Sequence, residues 1–206
     1  MRSIFLLLIS FLSLKNVYCQ TQALKLNTSY GSKNTELRDI MQFEGLEYFH
    51  LTFSGKDLAN KSYCLYVKEI WAGKVTTDTI VFDSRHFDES MHTVNDSILL
   101  MRVIGKATDG QLKMMFRIGN RSYTRLYRAI DSDEYSLRNI VQESRLPINY
   151  DEKFYLFAYI LPYKRSDGSK SWCDVGSSGK EIDLWGQKFG IPHYLTFEME
   201  FVSLQE

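Results

Sequence analysis

Four side chains that are able to bind a metal ion lie close together in one polar segment. They are Asp83, His86, Asp88 and His92, and zinc or calcium accepts carboxylate and imidazole ligands of this kind. Their spacing fits no known metal site, so a solvated loop is the competing interpretation. We therefore predict no cofactor, and these four residues are the candidate ligands if a metal binds.

Three tryptophans are the candidate ligand-binding residues. Trp172 has serine, lysine and aspartate neighbours, whereas Trp71 and Trp185 are each followed closely by glycine at the end of a predicted strand. An exposed indole presents an apolar face that can stack on the C–H face of a sugar ring. Packing in or beside the core is the alternative role for each of the three.

The cysteines could restrain the loop that carries Trp172. Once a signal peptide ending at Cys19 is removed, Cys64 and Cys173 remain, and two cysteines of an exported chain can form a disulfide. The alternative is two unrelated buried thiols, because Cys64 lies in an apolar strand, where a free thiol packs well. A Cys64–Cys173 bond would fix the 164–180 loop.

The segment from 97 to 130 positions the other elements. Asp109-Gly110 and Gly119-Asn120 each separate two β-prone runs, and both pairs suit two-residue hairpin turns. Turns of this length fix which residues face each other across the strands. We therefore predict a three-stranded meander in which Val103, Phe116 and Tyr123 oppose one another and are buried.

The opposite face of this meander is basic. The predicted register places Arg102 opposite Arg117 and Lys106 opposite Lys113, and like charges in such positions lower stability unless something neutralises them. An anionic ligand would neutralise them. The alternative is a neighbouring strand that presents acids, for which Glu198 and Glu200 are candidates.

The remaining chain also favours β-structure. Further strands are predicted over 46–53, 62–71, 74–82, 153–163, 181–185 and 193–204, with a hairpin turn at Gly73-Lys74 and one short helix within 131–144. These elements together predict an all-β fold. The expected architecture is an antiparallel β-sandwich of about eight strands with one short helix.

The N-terminus predicts export. Residues 1–19 have the basic start, apolar stretch and cleavage site of a signal peptide, and no apolar run is long enough to form a transmembrane segment. Residues 20–45 are expected to be a mobile lead-in or an edge strand, and 46–206 a single β-sandwich domain. A lipid anchor at Cys19 is disfavoured, because Asn16 and Tyr18 do not fit a lipoprotein signal.

The charge balance excludes one class of partner. Without Arg2 and Lys15 the chain has 23 basic and 25 acidic residues, a net charge of −2. This balance argues against nucleic acid as a partner.

The layout of the chain resembles the uncharacterised exported all-β proteins of gut Bacteroidota. The residues that carry this resemblance are Val17-Tyr18-Cys19-Gln20 and the final strand from Pro192 to Phe201. The resemblance implies a periplasmic, cell-surface or secreted location and no particular activity.

Thr79 and Ser97 each follow an aspartate and precede an isoleucine, a pattern at which such bacteria attach O-glycans. In a eukaryotic source the N-glycosylation acceptors would instead be Asn27, Asn60, Asn95 and Asn120.

Three hypotheses for function follow. The first is a non-enzymatic, exported β-sandwich that binds a glycan or another cell-surface component through its loops. The second is a hydrolase that uses two carboxylates, although the sequence contains none of the common catalytic motifs. The third is a structural subunit of an envelope or adhesive assembly that docks by strand addition.

Overall fold

The computed structural model describes residues 24–172 and 181–203. Two five-stranded antiparallel sheets pack face to face in this part of the chain. The first sheet contains, in spatial order, β1 (Lys25–Tyr30), β2 (Glu47–Ser54), β5 (Ile98–Thr108), β6 (Gln111–Ile118) and β7 (Arg121–Arg128). The second sheet contains, in spatial order, β4 (Lys74–Asp83), β3 (Lys61–Trp71), β12 (His193–Ser203), β9 (Phe154–Ile160) and β8 (Ser136–Asn139). The predicted antiparallel β-sandwich is confirmed.

The other elements are short. A separate ladder pairs β10 (Tyr163–Lys164) with β11 (Lys170–Ser171). The α-helices are α1 (Thr35–Phe43), α2 (Ile140–Ser144) and α3 (Trp185–Phe189). Within residues 24–172 and 181–203, no helix has the length and apolar composition needed to cross a membrane.

The two predicted turns connect β5 to β6 and β6 to β7. Asp109 and Gly110 both have positive φ, at 46° and 68°, as a type I′ turn requires. Gly119 has a φ of 55°, which suits the first central position of a type II′ turn. The sequence therefore specifies this meander through the conformations that its turn residues tolerate.

The predicted register of the meander is confirmed. Val103 pairs with Phe116, and Phe116 pairs with Tyr123. Val103 and Phe116 are fully buried, but Tyr123 is only half-buried, so the prediction that all three are buried is wrong for Tyr123. The reason is that β7 is an edge strand, and the Tyr123 ring stacks on Phe87 at the open side of the sandwich.

Aromatic side chains join the two sheets. Phe197, in the middle of β12, has its ring centroid 5.2 Å from that of Phe116, and the ring centroid of Phe201 is 5.1 Å from that of Phe53. All four side chains are fully buried. β12 therefore pairs with β3 and β9 in its own sheet and also supplies the core contacts with the first sheet.

The outward face of β12 is buried too, because α3 and the 3-10 helix before it cover that face. The Tyr194 hydroxyl donates to the Ile182 carbonyl (2.8 Å) and accepts from the Gly186 N–H (3.3 Å). Gly186 packs so closely on the β3–β4 turn that a Cβ atom added to it would stand 2.6 Å from the Cα of Gly73. The predicted strand over 181–185 is therefore wrong, since this segment is helical.

Three other sequence predictions need correction. The β3–β4 turn consists of Ala72 and Gly73, with φ of 47° and 72°, and not of Gly73-Lys74. The segment 131–144 holds β8 as well as a helix, and Asn139 caps α2 by accepting from the Gln142 N–H. In the segment 20–45, β1 is an edge strand of the first sheet, and α1 is a helix that the sequence did not predict.

The packing of Phe116 predicts a large effect on stability. Phe116→Ala is expected to lower the free energy of unfolding by about 3–5 kcal/mol, because it leaves a cavity against Phe197. Urea denaturation measures this change. Leu126→Ala is the matched control on β7, and it should shift stability by about 0.5 kcal/mol or less because Leu126 is 59% exposed. Equal effects of the two substitutions would contradict the packing described.

Candidate functional site

A cavity of about 670 Å³ opens at the side of the sandwich where β1 and β8 are the edge strands. Its walls come from the end of β1, from α1, from the start of β2, from the segment that leads into β8, and from Trp172. The aromatic and charged side chains in its lining include Tyr30, Arg38, Glu47, Asp133, Glu134 and Trp172. The volume is typical of a small-molecule site, for which about 300–1,000 Å³ is usual.

Helix α1 forms one wall of the cavity. Hydrogen bonds at both of its ends fix the position of the helix. Asn34 caps the helix by accepting from the Leu37 N–H at 2.9 Å. At the other end, Gly45 has a φ of 63°, and this left-handed conformation lets the Leu46 N–H donate back to the Met41 carbonyl at 2.8 Å. This change of chain direction at Gly45 leads directly into β2, whose first residue is Glu47.

Glu47 is a half-buried carboxyl group that lines the cavity. It has the same parity along β2 as Phe49, Leu51 and Phe53, so its side chain points toward the interior of the sandwich. Its Oε1 accepts from the Leu137 N–H at 2.7 Å. Burial raises the pKa of Glu47 to about 7, and the hydrogen bond from Leu137 opposes this shift only in part.

Trp172 provides an unsatisfied donor beside the same cavity. Its side chain is half-buried, and its indole Nε1 is buried with no hydrogen-bond partner among the described residues. A buried N–H group without an acceptor is unfavourable by about 1–3 kcal/mol. An acceptor on a ligand would remove that penalty if a small rotation of the indole exposed its N–H to the cavity.

The charged groups around the cavity differ in whether they have an ion-pair partner. Glu134 accepts from the Lys170 ammonium at 2.6 Å, so its charge is already compensated. Arg38 and Asp133 are exposed and have no ion pair among the described residues. The Tyr30 ring packs edge-on against Phe49, and burial raises the pKa of its hydroxyl. The cavity therefore combines aromatic surface, one carboxyl group of raised pKa, one N–H group without an acceptor among the described residues, and two surface charges without an ion pair.

The structure separates the three tryptophans that the sequence grouped. Trp71 stacks on His193, with ring centroids 4.0 Å apart, and lines a different cavity of about 570 Å³ beside β7. Trp185 is fully buried and packs on Tyr194. The sequence placed Trp185 among the candidate ligand-binding residues, but in this structure its indole has no exposed face. Among the three, Trp172 alone lines the cavity that contains Glu47.

The four candidate metal ligands do not form a metal site. Asp83 is buried, and its carboxylate accepts from the Arg85 guanidinium, which holds the pKa of Asp83 below its usual value. The His86 side chain is 82% exposed, Asp88 pairs with Arg121, and the His92 ring contacts the Phe87 carbonyl. Nowhere in residues 24–172 and 181–203 are three or more His, Cys, Asp or Glu side chains arranged to hold a metal ion. Asp83 and His86 line a cavity at the β4–β7 side, away from the one that holds Trp172.

The remaining predicted sites lie partly outside the structure described. The Cys64 side chain is buried, and its Sγ lies 3.3 Å from the Phe82 carbonyl oxygen. Cys173 lies outside the described residues, as do Cys19 and the whole predicted signal peptide, so the disulfide, the lipid anchor and export stay predictions.

The candidate glycosylation sites differ in exposure. Thr79 is exposed on β4, and Ser97 is half-buried just before β5. The four N-glycosylation candidates, Asn27, Asn60, Asn95 and Asn120, are all exposed.

Comparison of the chain with models of known protein families, with curated proteins and with solved structures gives no match. The resemblance to exported Bacteroidota proteins therefore stays a prediction.

Burial of Glu47 predicts a pH-dependent stability. Its pKa of about 7 in the folded chain exceeds the ordinary value of 4.5, so between these pH values the folded chain holds a proton that the unfolded chain has released. The free energy of unfolding should therefore fall as pH rises through this window, by about 3 kcal/mol for this group.

Glu47→Gln tests this linkage, because the amide imitates the protonated carboxyl group. Relative to the wild type, the variant should gain stability between pH 5 and pH 8 in urea denaturation series. Glu89→Gln, at an exposed position, is the control and should follow the wild-type curve. Parallel curves for Glu47→Gln and the wild type would show that the Glu47 carboxyl group has an ordinary pKa.

Proposed function

We propose that this chain is an exported, non-enzymatic binding protein that takes a small saccharide in the cavity between α1, β2 and Trp172. The observation that carries the proposal is the buried indole N–H of Trp172, which has no partner among the described residues and lies beside an open cavity. The polar neighbours of Trp172 in the sequence independently favour a ligand-binding role for this residue.

The chemistry of the cavity suits sugar hydroxyl groups. A hydroxyl group both donates and accepts hydrogen bonds, so it can accept from the Trp172 N–H and exchange hydrogen bonds with the Glu47 carboxyl group. The rings of Tyr30 and Trp172 offer apolar surface of the kind on which the C–H face of a sugar packs. Arg38 and Asp133 can bind further hydroxyl groups at the mouth of the cavity.

A hydrolase is the second candidate, and the raised pKa of Glu47 favours it. A carboxyl group that stays protonated near neutral pH is suited to act as a general acid. Glycoside hydrolysis also needs a second carboxylate as nucleophile or base. Glu134 is held by Lys170, which leaves Asp133 as the partner such an enzyme would use.

The edge strands give less support to a structural subunit that docks by strand addition. Pairing of β4 with β3 is interrupted by two register shifts, and β8 has four residues. Bulged and short edge strands resist pairing with another chain. β7, the longer edge of the first sheet, carries Arg121, Arg125 and Arg128.

Binding to a glycan array tests the proposal, with each hit remeasured by calorimetry using the free glycan. Trp172→Ala is expected to weaken binding about tenfold or more, which corresponds to about 1.4 kcal/mol. Trp172→Phe should recover part of the affinity, because it keeps the ring and loses the N–H. Trp71→Phe is the matched control, since Trp71 is also half-buried but lines another cavity.

Three outcomes would count against saccharide binding in this cavity. They are the absence of any glycan hit for the wild type, equal affinities of Trp172→Ala and wild type, and loss of affinity in Trp71→Phe alone. Release of reducing sugar from a bound glycan, abolished by Glu47→Gln, would replace the proposal with the hydrolase.

A further inference from the structure

The outward face of the first sheet carries a concentration of positive charge, which we call the basic face. Its centre is formed by Arg102, Lys106, Lys113 and Arg117, and the predicted pairs Arg102–Arg117 and Lys106–Lys113 are cross-strand neighbours. Lys25 on β1 and Arg128 on β7 have the same outward parity. Side chains on this face are therefore within reach of a single extended ligand.

The basic face has almost no compensating negative charge. The outward positions of β1, β2, β5, β6 and β7, all within the described residues, contain no Asp or Glu. Of its cations, Lys106 alone has an ion pair among the described residues, with Glu44 at 2.8 Å. The chain has 25 basic and 25 acidic residues in total, so this face reflects segregation of charge and not an overall excess.

The acids that the sequence suggested as neutralising partners lie elsewhere. Glu198 and Glu200 belong to β12 in the second sheet, where Glu198 pairs with Lys68 at 3.2 Å and Glu200 accepts from the Tyr66 hydroxyl at 3.0 Å. The interpretation that these acids neutralise the basic pairs is therefore wrong. Each opposed pair lowers stability by about 0.2–1 kcal/mol relative to a neutral pair, and an anionic partner would reverse this effect.

The shape of the basic face favours a flexible chain over a flat membrane. Neighbouring strands rotate by about 20–25°, so five strands accumulate a twist of about 80–100°, and a planar bilayer would meet only part of the face. The most exposed aliphatic side chains, Leu100 at 63% and Leu126 at 59%, lie about 20 Å apart by strand geometry. They therefore form no single apolar patch that could insert into a lipid layer.

Between the two basic pairs lies an apolar strip that suits a sugar chain. Ile104 and Met115 are cross-strand neighbours and half-buried, and Tyr48 continues the strip on β2. Such a strip can contact the C–H faces of sugar rings while the flanking cations bind their acidic groups. We propose that the basic face is a second binding surface, distinct from the cavity, for an acidic polysaccharide that carries sulfate or carboxylate groups.

Binding of the full mature chain to immobilised dextran sulfate and polygalacturonate tests this proposal, with neutral dextran as the reference. The wild type should bind at least one of the two acidic polymers at low salt and should lose affinity as salt is raised. Lys113→Gln/Arg117→Gln removes one member of each opposed pair, and it is expected to weaken binding about tenfold or more. Its urea midpoint should stay at or above the wild-type value, because like-charge repulsion is relieved.

The control variant Lys74→Gln/Arg145→Gln removes one exposed lysine on β4 of the second sheet and one exposed arginine at the end of α2, and it should bind within about twofold of the wild type. Trp172→Ala should bind the acidic polymers like the wild type, whatever it does to binding in the cavity. Loss of polymer binding in Trp172→Ala would place the acidic glycan in the cavity and overturn the proposal. Equal binding by Lys113→Gln/Arg117→Gln and the wild type would overturn it too, as would binding confined to phosphatidylglycerol vesicles or to oligothymidylate.

Discussion

The register of the first sheet is the constraint on which both the cavity and the basic face depend. Because side chains alternate between the two faces of a strand, a slip of one residue would exchange the faces completely. Glu47 would then point to solvent, and Arg102 would point into the core. The turns at Asp109-Gly110 and Gly119-Asn120 exclude this slip among β5, β6 and β7 by their length, and the contact of Phe116 with Phe197 stabilises the correct register from the opposite sheet. Pairing of the buried Phe49 with the buried Val103 sets β2 in the same register.

Two polar groups at the cavity, the Glu47 carboxyl group and the Trp172 N–H, lie in surroundings that lower the stability of the folded chain. Partial burial raises the pKa of Glu47 to about 7, and the Trp172 N–H is buried without an acceptor among the described residues. Both features lower stability. A ligand that supplies hydroxyl groups would satisfy both at once, which connects the stability of the chain to binding at this position.

The sequence predicted the parts of the structure that local chemistry determines. The meander register, the two opposed basic pairs and the sandwich class follow from turn residues and from alternation along strands, both of which act over short distances. α1 was missed although Leu37, Ile40 and Met41 recur at helical spacing, because the segment around them is rich in polar residues. Residues 181–185 were mistaken for a strand because a short apolar run does not distinguish a strand from a buried helical turn.

The cavity could be predicted only in part. Trp172 stood out because a large apolar residue is unexpected in a polar loop. Glu47 gave a weaker signal, an acid with the inward parity of Phe49, Leu51 and Phe53, and that signal became meaningful only when the faces of β2 were assigned. The walls come from five separate segments, and no local pattern indicates that these segments meet.

The indole N–H resonances of the chain offer the most direct test of the account. A ¹⁵N–¹H spectrum of the tryptophan side chains, assigned with Trp172→Phe, would be recorded during titration with glucose, galactose, N-acetylglucosamine and their disaccharides. The account predicts that at least one sugar moves the Trp172 resonance in a saturable manner, while the Trp71 and Trp185 resonances stay in place. A Trp172 resonance that does not respond to any of these sugars, or one that moves together with the other two, would contradict saccharide binding in the cavity.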